Sequence, residues 1–221
     1  MFDKVVSSYH NSPAGSNEEQ KRKFQQNKLN LQNSVQSSLA YAYRNDNPKI
    51  THFYNRYAGV PLWALFEIMM MGDFGFLLSC LTIDIRYDIS KRLGLNLASD
   101  TDRRLIYKYI YTFKDLRNAI AHNAVVFDTR FRSMDPSASM KQCLKNEIGL
   151  PYVNFKTIGD YIILVSYYLK LLRVPKTEIK SFIREFEKLT SDYAEAVSPA
   201  VSSVVIHPDL LARMAVLKNY I

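Results

Sequence analysis

A chain of 221 residues with 48% hydrophobic content can bury a substantial core, which excludes an intrinsically disordered protein. Its 7 glycines are too few for a sandwich of short strands joined by tight turns, and its 2 cysteines exclude a disulfide framework or a CxxC metal ribbon. The formal net charge of +8 points to an anionic partner wherever the excess is clustered.

Residues 1–16 lack both a periodic apolar face and the apolar run of a secretion signal, and are expected to be flexible. Residues 17–221 read as a single helical domain. From about 17 to 44, Phe24, Leu31, Val35, Leu39 and Ala42 recur at helical spacing, and RNDNPK ends that helix. Pro61 suits the first turn of a short helix to about 71, stopped by Gly72. Asp73 is the expected cap of the next helix, whose stripe is Phe74, Leu78, Leu81, Ile85 and Ile89 and whose end is Gly94. The greasiest window, PLWALFEIMMMGDFGFLLSCLTIDI, is long enough to span a bilayer, but Glu67, Asp73 and Asp84 lie inside it and MGDFG interrupts it. It reads as two buried helices of a cytoplasmic protein that enters no membrane.

Ser99 or Asp100 can cap a helix that runs to about 122, with Ile106, Ile110, Phe113, Leu116 and Ile120 facing the core. Residues 124–156 show no sustained period, which in a compact domain often marks a functional segment. Within them, VVFDTRF and PYVNF have the content of short strands able to pair as a hairpin. Helices resume at 157–173, where Thr157 and Asp160 make an approximate capping box, and at 176–196 through Ile179, Phe182, Ile183, Phe186 and Leu189. A last helix, near 208–220, begins with Pro208. The fold class is therefore all-α, a helical bundle with an irregular basic insertion.

The charge is clustered. Residues 103–145 carry nine Lys/Arg against three Asp/Glu, whereas residues 57–102 carry three against six. Within the basic segment, KDLRNAIAH places Arg117, Asn118 and His122 in the last turns of the striped helix. At about 100° per residue, Asn118 and His122 share a face while Arg117 points about 140° away from His122. One helix does not aim both at one atom; two copies across a two-fold axis can. Asn123 suits a left-handed cap, which leaves His122 in the last turn, where the negative end of the macrodipole favours an imidazolium.

These residue types fit metal-free RNA cleavage, in which a 2′-hydroxyl attacks the adjacent phosphorus. Histidine carries protons near neutral pH, and arginine offers a planar fork of donors to phosphoryl oxygens. Asn118 can orient the imidazole or bind a phosphate oxygen. No Walker loop, GxSxG elbow or HExxH helix is present. Plainer roles compete: His122 can be satisfied by a backbone carbonyl, and Arg117 can bridge to Asp115 or Glu67. Tyr107, Tyr109, Tyr111 and Phe113 can stack on bases or belong to the core.

LRNAIAH resembles the RNxxxH signature of the HEPN superfamily. Upstream, VPLWALFEIMMMGDFGFLLSCL resembles the PLW-apolar-Glu-apolar-Gly stretch of its Abi-like (abortive infection) branch, and the likeness extends over about residues 20 to 190. The resemblance implies a HEPN-like bundle, an anti-phage endoribonuclease that dimerises and cleaves RNA without a metal or other cofactor. Arg117, Asn118 and His122 occupy the motif positions, and Glu67 matches the acidic residue of the PLW block. Many relatives continue with a second basic or histidine-rich patch, where this chain has NAVVFDTRF; Arg130 and Arg132 are the candidates to replace it. With Lys114, Arg103 and Arg104 they make up the expected RNA-binding set. The competing expectation is a non-catalytic RNA-binding or adaptor module of a defence system. A regulatory RNA or protein partner is expected of a nuclease that would otherwise harm its host.

Overall fold

The computed structural model describes residues 16–100, 103–127 and 129–221, and among them no strand forms. The chain divides into two compact units, one ending at Asp88 and the other beginning at Ile89. The expected flexible N-terminus lies, through residue 15, outside the described residues.

The first unit is organised by its longest helix, α1 (Glu18–Arg44). Asn17 opens it with a reciprocal capping box: its side chain accepts from the Gln20 N–H at 2.8 Å, and the Gln20 side chain accepts from the Asn17 N–H at 3.0 Å. Leu31, Val35, Leu39 and Ala42, three or four residues apart, are its buried stripe. They pack against Ile50 of α2 (Pro48–Asn55), Ala64 and Leu65 of α3 (Leu62–Ile68), and Leu77 and Cys80 of α4 (Met71–Cys80). The reading of RNDNPK as only a helix end missed α2: Asn47 caps it, accepting from the Lys49 N–H at 3.1 Å, with Pro48 in the first turn.

The apolar window divides differently from expectation. Extended Met69 and Met70, not Gly72, separate α3 from α4, and Asp73 lies inside the first turn of α4 rather than capping it. The stripe expected to run on from Phe74 to Ile89 is broken by extended Leu81, beyond which α5 (Ile83–Leu93) begins.

The second unit contains α6 (Leu105–Ala121), α7 (Ala138–Ile148), α8 (Ile158–Leu171), α9 (Lys176–Ala196), α10 (Pro199–Val205) and α11 (Leu210–Tyr220). Its core takes Ile106 and Tyr109 from α6, Met140 and Leu144 from α7, Ile163 and Tyr167 from α8, Ile183 from α9, and Met214 and Leu217 from α11. α7 was not foreseen, although Ser137 and left-handed Gly149 bracket it as cap and stop. Pro199–Tyr220, with a mean hydropathy of 1.4, has the length and composition to cross a membrane, yet residues 206–209 divide it into α10 and α11.

Among the described residues neither VVFDTRF nor PYVNF forms a strand. Thr129 and Phe155 stand at φ 58° and 59°, which breaks any extended run. Side chains tie the two segments together instead: Arg132 Nη1 donates to the Phe155 carbonyl at 2.9 Å, and Thr129 Oγ1 to that of Lys156 at 3.4 Å. The expected Thr157–Asp160 capping box does not form either. Asp160, fully buried, accepts from the Asn154 and Phe155 N–H groups and pairs with the buried guanidinium of Arg213.

Candidate functional site

The motif sits at the C-terminal end of α6. Asp100 fastens the other end, its Oδ1 accepting from the N–H groups of Arg104 at 2.9 Å and Leu105 at 3.1 Å; of the two caps expected, Asp100 does the work. The helix closes in a Schellman arrangement on left-handed Asn123 (φ 52°), as expected of that residue. The Asn123 N–H donates to the Ile120 carbonyl at 3.1 Å and the Ala124 N–H to that of Ala119 at 2.8 Å. His122 is thereby the C-cap residue, its backbone N–H held by Asn118 and its side chain exposed.

Leu116 and Ala119 are buried beneath this end, and Arg117 projects into solvent. Ile120, expected to face the core, is 64% exposed. Arg117 Nη1 donates to Asn118 Oδ1 at 3.1 Å, so the guanidinium leans toward the face that Asn118 shares with His122. The alternative partners are engaged elsewhere: Asp115 accepts from the Ser133 N–H at 2.9 Å and its hydroxyl at 2.7 Å, with Lys114 at 3.4 Å. Glu67, the other partner considered for Arg117, is exposed in α3 and pairs with Lys49 of α2. Among the described residues the His122 imidazole makes no hydrogen bond.

The basic set separates by function. Arg103 folds its guanidinium onto the carbonyls of Leu97 and Asp100, stabilising the turn before α6. Arg104 and Arg130 are exposed. Arg132 is half-buried, bonded to Phe155 and paired with Asp135 at 2.9 Å. Lys114 and Arg132 come together on the wall of a cavity of about 530 Å³, beside α6, with Lys108, Tyr107 and Tyr111. Lys108 was not among the expected RNA-binding residues; its i, i+3 relation to Tyr111 was the available signal. The aromatic run splits by helix face: Tyr107 and Tyr111 line the cavity, while Tyr109 is buried and Phe113 packs on Tyr168, ring centroids 5.0 Å apart.

A second concavity, almost wholly apolar, lies on the opposite side of α6, where Leu116, Ile120 and Phe127 meet Phe182, Phe186 and Leu189. Among the described residues no group of three or more His, Cys, Asp or Glu is placed to hold a metal ion.

Residues 5–128, more than half of the chain, match the family model described as Abi-like protein. The chain belongs to the Abi-like protein family. The matched segment contains the PLW block with Glu67 and the Arg117–His122 motif, and stops before Arg130 and Arg132. No curated protein and no solved structure matches the chain.

Proposed function

We propose that this Abi-like protein is a metal-independent endoribonuclease of HEPN type, serving an abortive-infection defence, with a composite site formed by two copies of the chain. The observation that carries the reading is the exposed His122 imidazole, without a hydrogen bond among the described residues, beside an Arg117–Asn118 pair within the most basic segment. In the proposed reaction His122 of one copy takes the proton of the attacking 2′-hydroxyl. Arg117 and Asn118 meet the charge that gathers on the phosphoryl oxygens, and the second copy's histidine returns a proton to the departing 5′-oxygen. The products are a 2′,3′-cyclic phosphate and a 5′-hydroxyl. Membership of the family and the clustered positive charge support an RNA partner and a defence role.

Incubation of the purified protein with total RNA in EDTA tests this, beside His122→Ala and Arg117→Ala. The expected outcome is cleavage by the wild type and a loss of at least about 100-fold in each variant, the scale of a positioned acid–base group. Cleavage that needs a divalent metal overturns the mechanism. A non-catalytic RNA-binding module is favoured by one feature, the wide angle between Arg117 and His122 on a single helix. RNA binding without cleavage, insensitive to both substitutions, is its outcome.

The dimer is supported by the apolar groove. Ile120 and Leu189, 64% and 66% exposed, lie on its rim, and Ile120 is about 60° from Arg117 around α6. A partner seated there lies next to the guanidinium. Sedimentation at micromolar concentration is expected to show a dimer in the wild type, and a monomer with lost cleavage in Ile120→Glu. A strictly monomeric protein that still cleaves refutes the composite site.

A further inference from the structure

Around α6, Tyr107, Tyr111, Asp115, Asn118 and His122 follow one another at three or four residues, and so fall on one stripe of the helix. The cavity that Tyr107 and Tyr111 line is thus on the motif's own face, Tyr111 standing seven residues, about 10 Å, before Asn118. Its composition is divided. The lining is largely apolar and aromatic, with Tyr107 and Tyr111 inside and exposed Met134 at the mouth, while Lys108, Lys114 and Arg132 bring three ammonium or guanidinium groups to its walls. Its two carboxylates are already engaged, Asp115 by Ser133 and Asp135 by Lys141 and Arg132. The Lys141 hydrogen bond, and with it Arg132, holds Asp135 below the usual carboxylate range, so it stays ionised and paired.

A second, independent feature points to a ligand. Tyr161 lines the cavity from α8, fully buried, and its hydroxyl has no hydrogen-bond partner among the described residues. Arg132, Asp115 and Asp135, which line the same cavity, act on this hydroxyl together with Asp160, which does not line it. Burial, its main influence, raises its pKa to about 12, so it is a neutral donor across the physiological range. A buried donor left unpaired is costly, and an acceptor on an incoming ligand relieves that cost.

We propose that this cavity is a base-binding subsite for single-stranded RNA, taking a nucleotide adjacent to the scissile phosphate, with its base against Tyr107, Tyr111 and Met134. The phosphate is met by Lys108 and Lys114, and the Tyr161 hydroxyl reads an acceptor on the base edge. The volume suits one nucleotide, and aromatic walls with cations beside them are the combination that holds single strands. The assignment rests on the ribonuclease reading for its link to cleavage, but not for binding.

The test measures binding and cleavage separately on the full-length protein. Each of the four nucleoside 5′-monophosphates, with ribose 5-phosphate as the baseless control, is titrated by calorimetry. At least one nucleotide is expected to bind about fivefold or more tighter than the control, with Met134→Glu or Tyr111→Ala abolishing the difference. Met134 is 76% exposed, so its replacement leaves the fold intact. Tyr161→Phe is expected to keep binding while levelling any preference among the four bases to within about twofold, and His122→Ala to bind like the wild type. Nucleotide binding with these responses but no RNA cleavage upholds the subsite and removes the ribonuclease reading. Cleavage with ribose 5-phosphate bound as well as any nucleotide, or with Met134→Glu and Tyr111→Ala unchanged, overturns the subsite alone.

Discussion

His122 owes its position to the residue after it. A helix can stop at a left-handed residue only where the side chain tolerates positive φ, and Asn123 at φ 52° is such a residue. The turn ends the helix at His122, whose side chain is exposed while its own N–H stays bonded to the Asn118 carbonyl at 3.0 Å. Asn123→Gly is therefore expected to leave stability and cleavage nearly unchanged. Asn123→Val, whose branched Cβ resists this conformation, is expected to cost about 1–2 kcal/mol and to lower cleavage with it. Urea denaturation of the two variants, with RNA cleavage measured on each, checks both. The motif was legible because it consists of residue types whose chemistry is unusual at a helix end. The bond from Arg117 to Asn118 was not, since a wheel gives the direction of a Cβ but not the bend of a long, flexible side chain.

At the scale of elements, the start of α8 shows why a local pattern can lose to a tertiary one. Thr157 and Asp160 have capping-box spacing, yet a buried arginine 53 residues away in α11 claims the carboxylate. Arg213 also donates to the Tyr152 carbonyl at 3.3 Å and lies over the Tyr152 ring at 4.5 Å, so one ion pair fixes the segment before α8. Phe155 in that segment accepts from Arg132, which carries the order on to the cavity wall. Removing one partner leaves an uncompensated buried charge, and Arg213→Ala or Asp160→Ala is expected to destabilise by about 3–5 kcal/mol. A joint replacement by apolar residues of similar volume is expected to recover most of that loss. Denaturation curves of the two single variants and the double variant decide it. Long amphipathic helices such as α1 and α9 were visible from spacing alone, whereas α2 and α7, at 8 and 11 residues, carry too few repeats to stand out without their caps.

For the molecule as a whole, the core of the second unit holds several tyrosines away from water. Burial pushes Tyr161, Tyr168 and Tyr220 up to about 12 and Tyr109 and Tyr167 higher still, with the neighbouring Cys143 adding to the last two. Each phenol is thus kept protonated in the folded chain, while in the unfolded chain it ionises near 10. Above that pH the unfolded state binds fewer protons than the folded one, so stability falls as pH rises. The contribution is whole below about pH 10 and is lost progressively through about pH 12. Aromatic spacing in YKYIYTF and YIILVSYYLKLL was visible in the sequence, but which rings would be sealed in depended on α7 and α11 closing over them. The expected outcome is a cooperative loss of near-ultraviolet circular dichroism between about pH 10 and about 12, accompanied by a delayed burst of tyrosinate absorbance. Tyrosinate that instead rises smoothly from about pH 9, with the folded signal intact, would show that these rings are open to solvent, and the packing of α6, α8 and α11 around them would have to be redrawn.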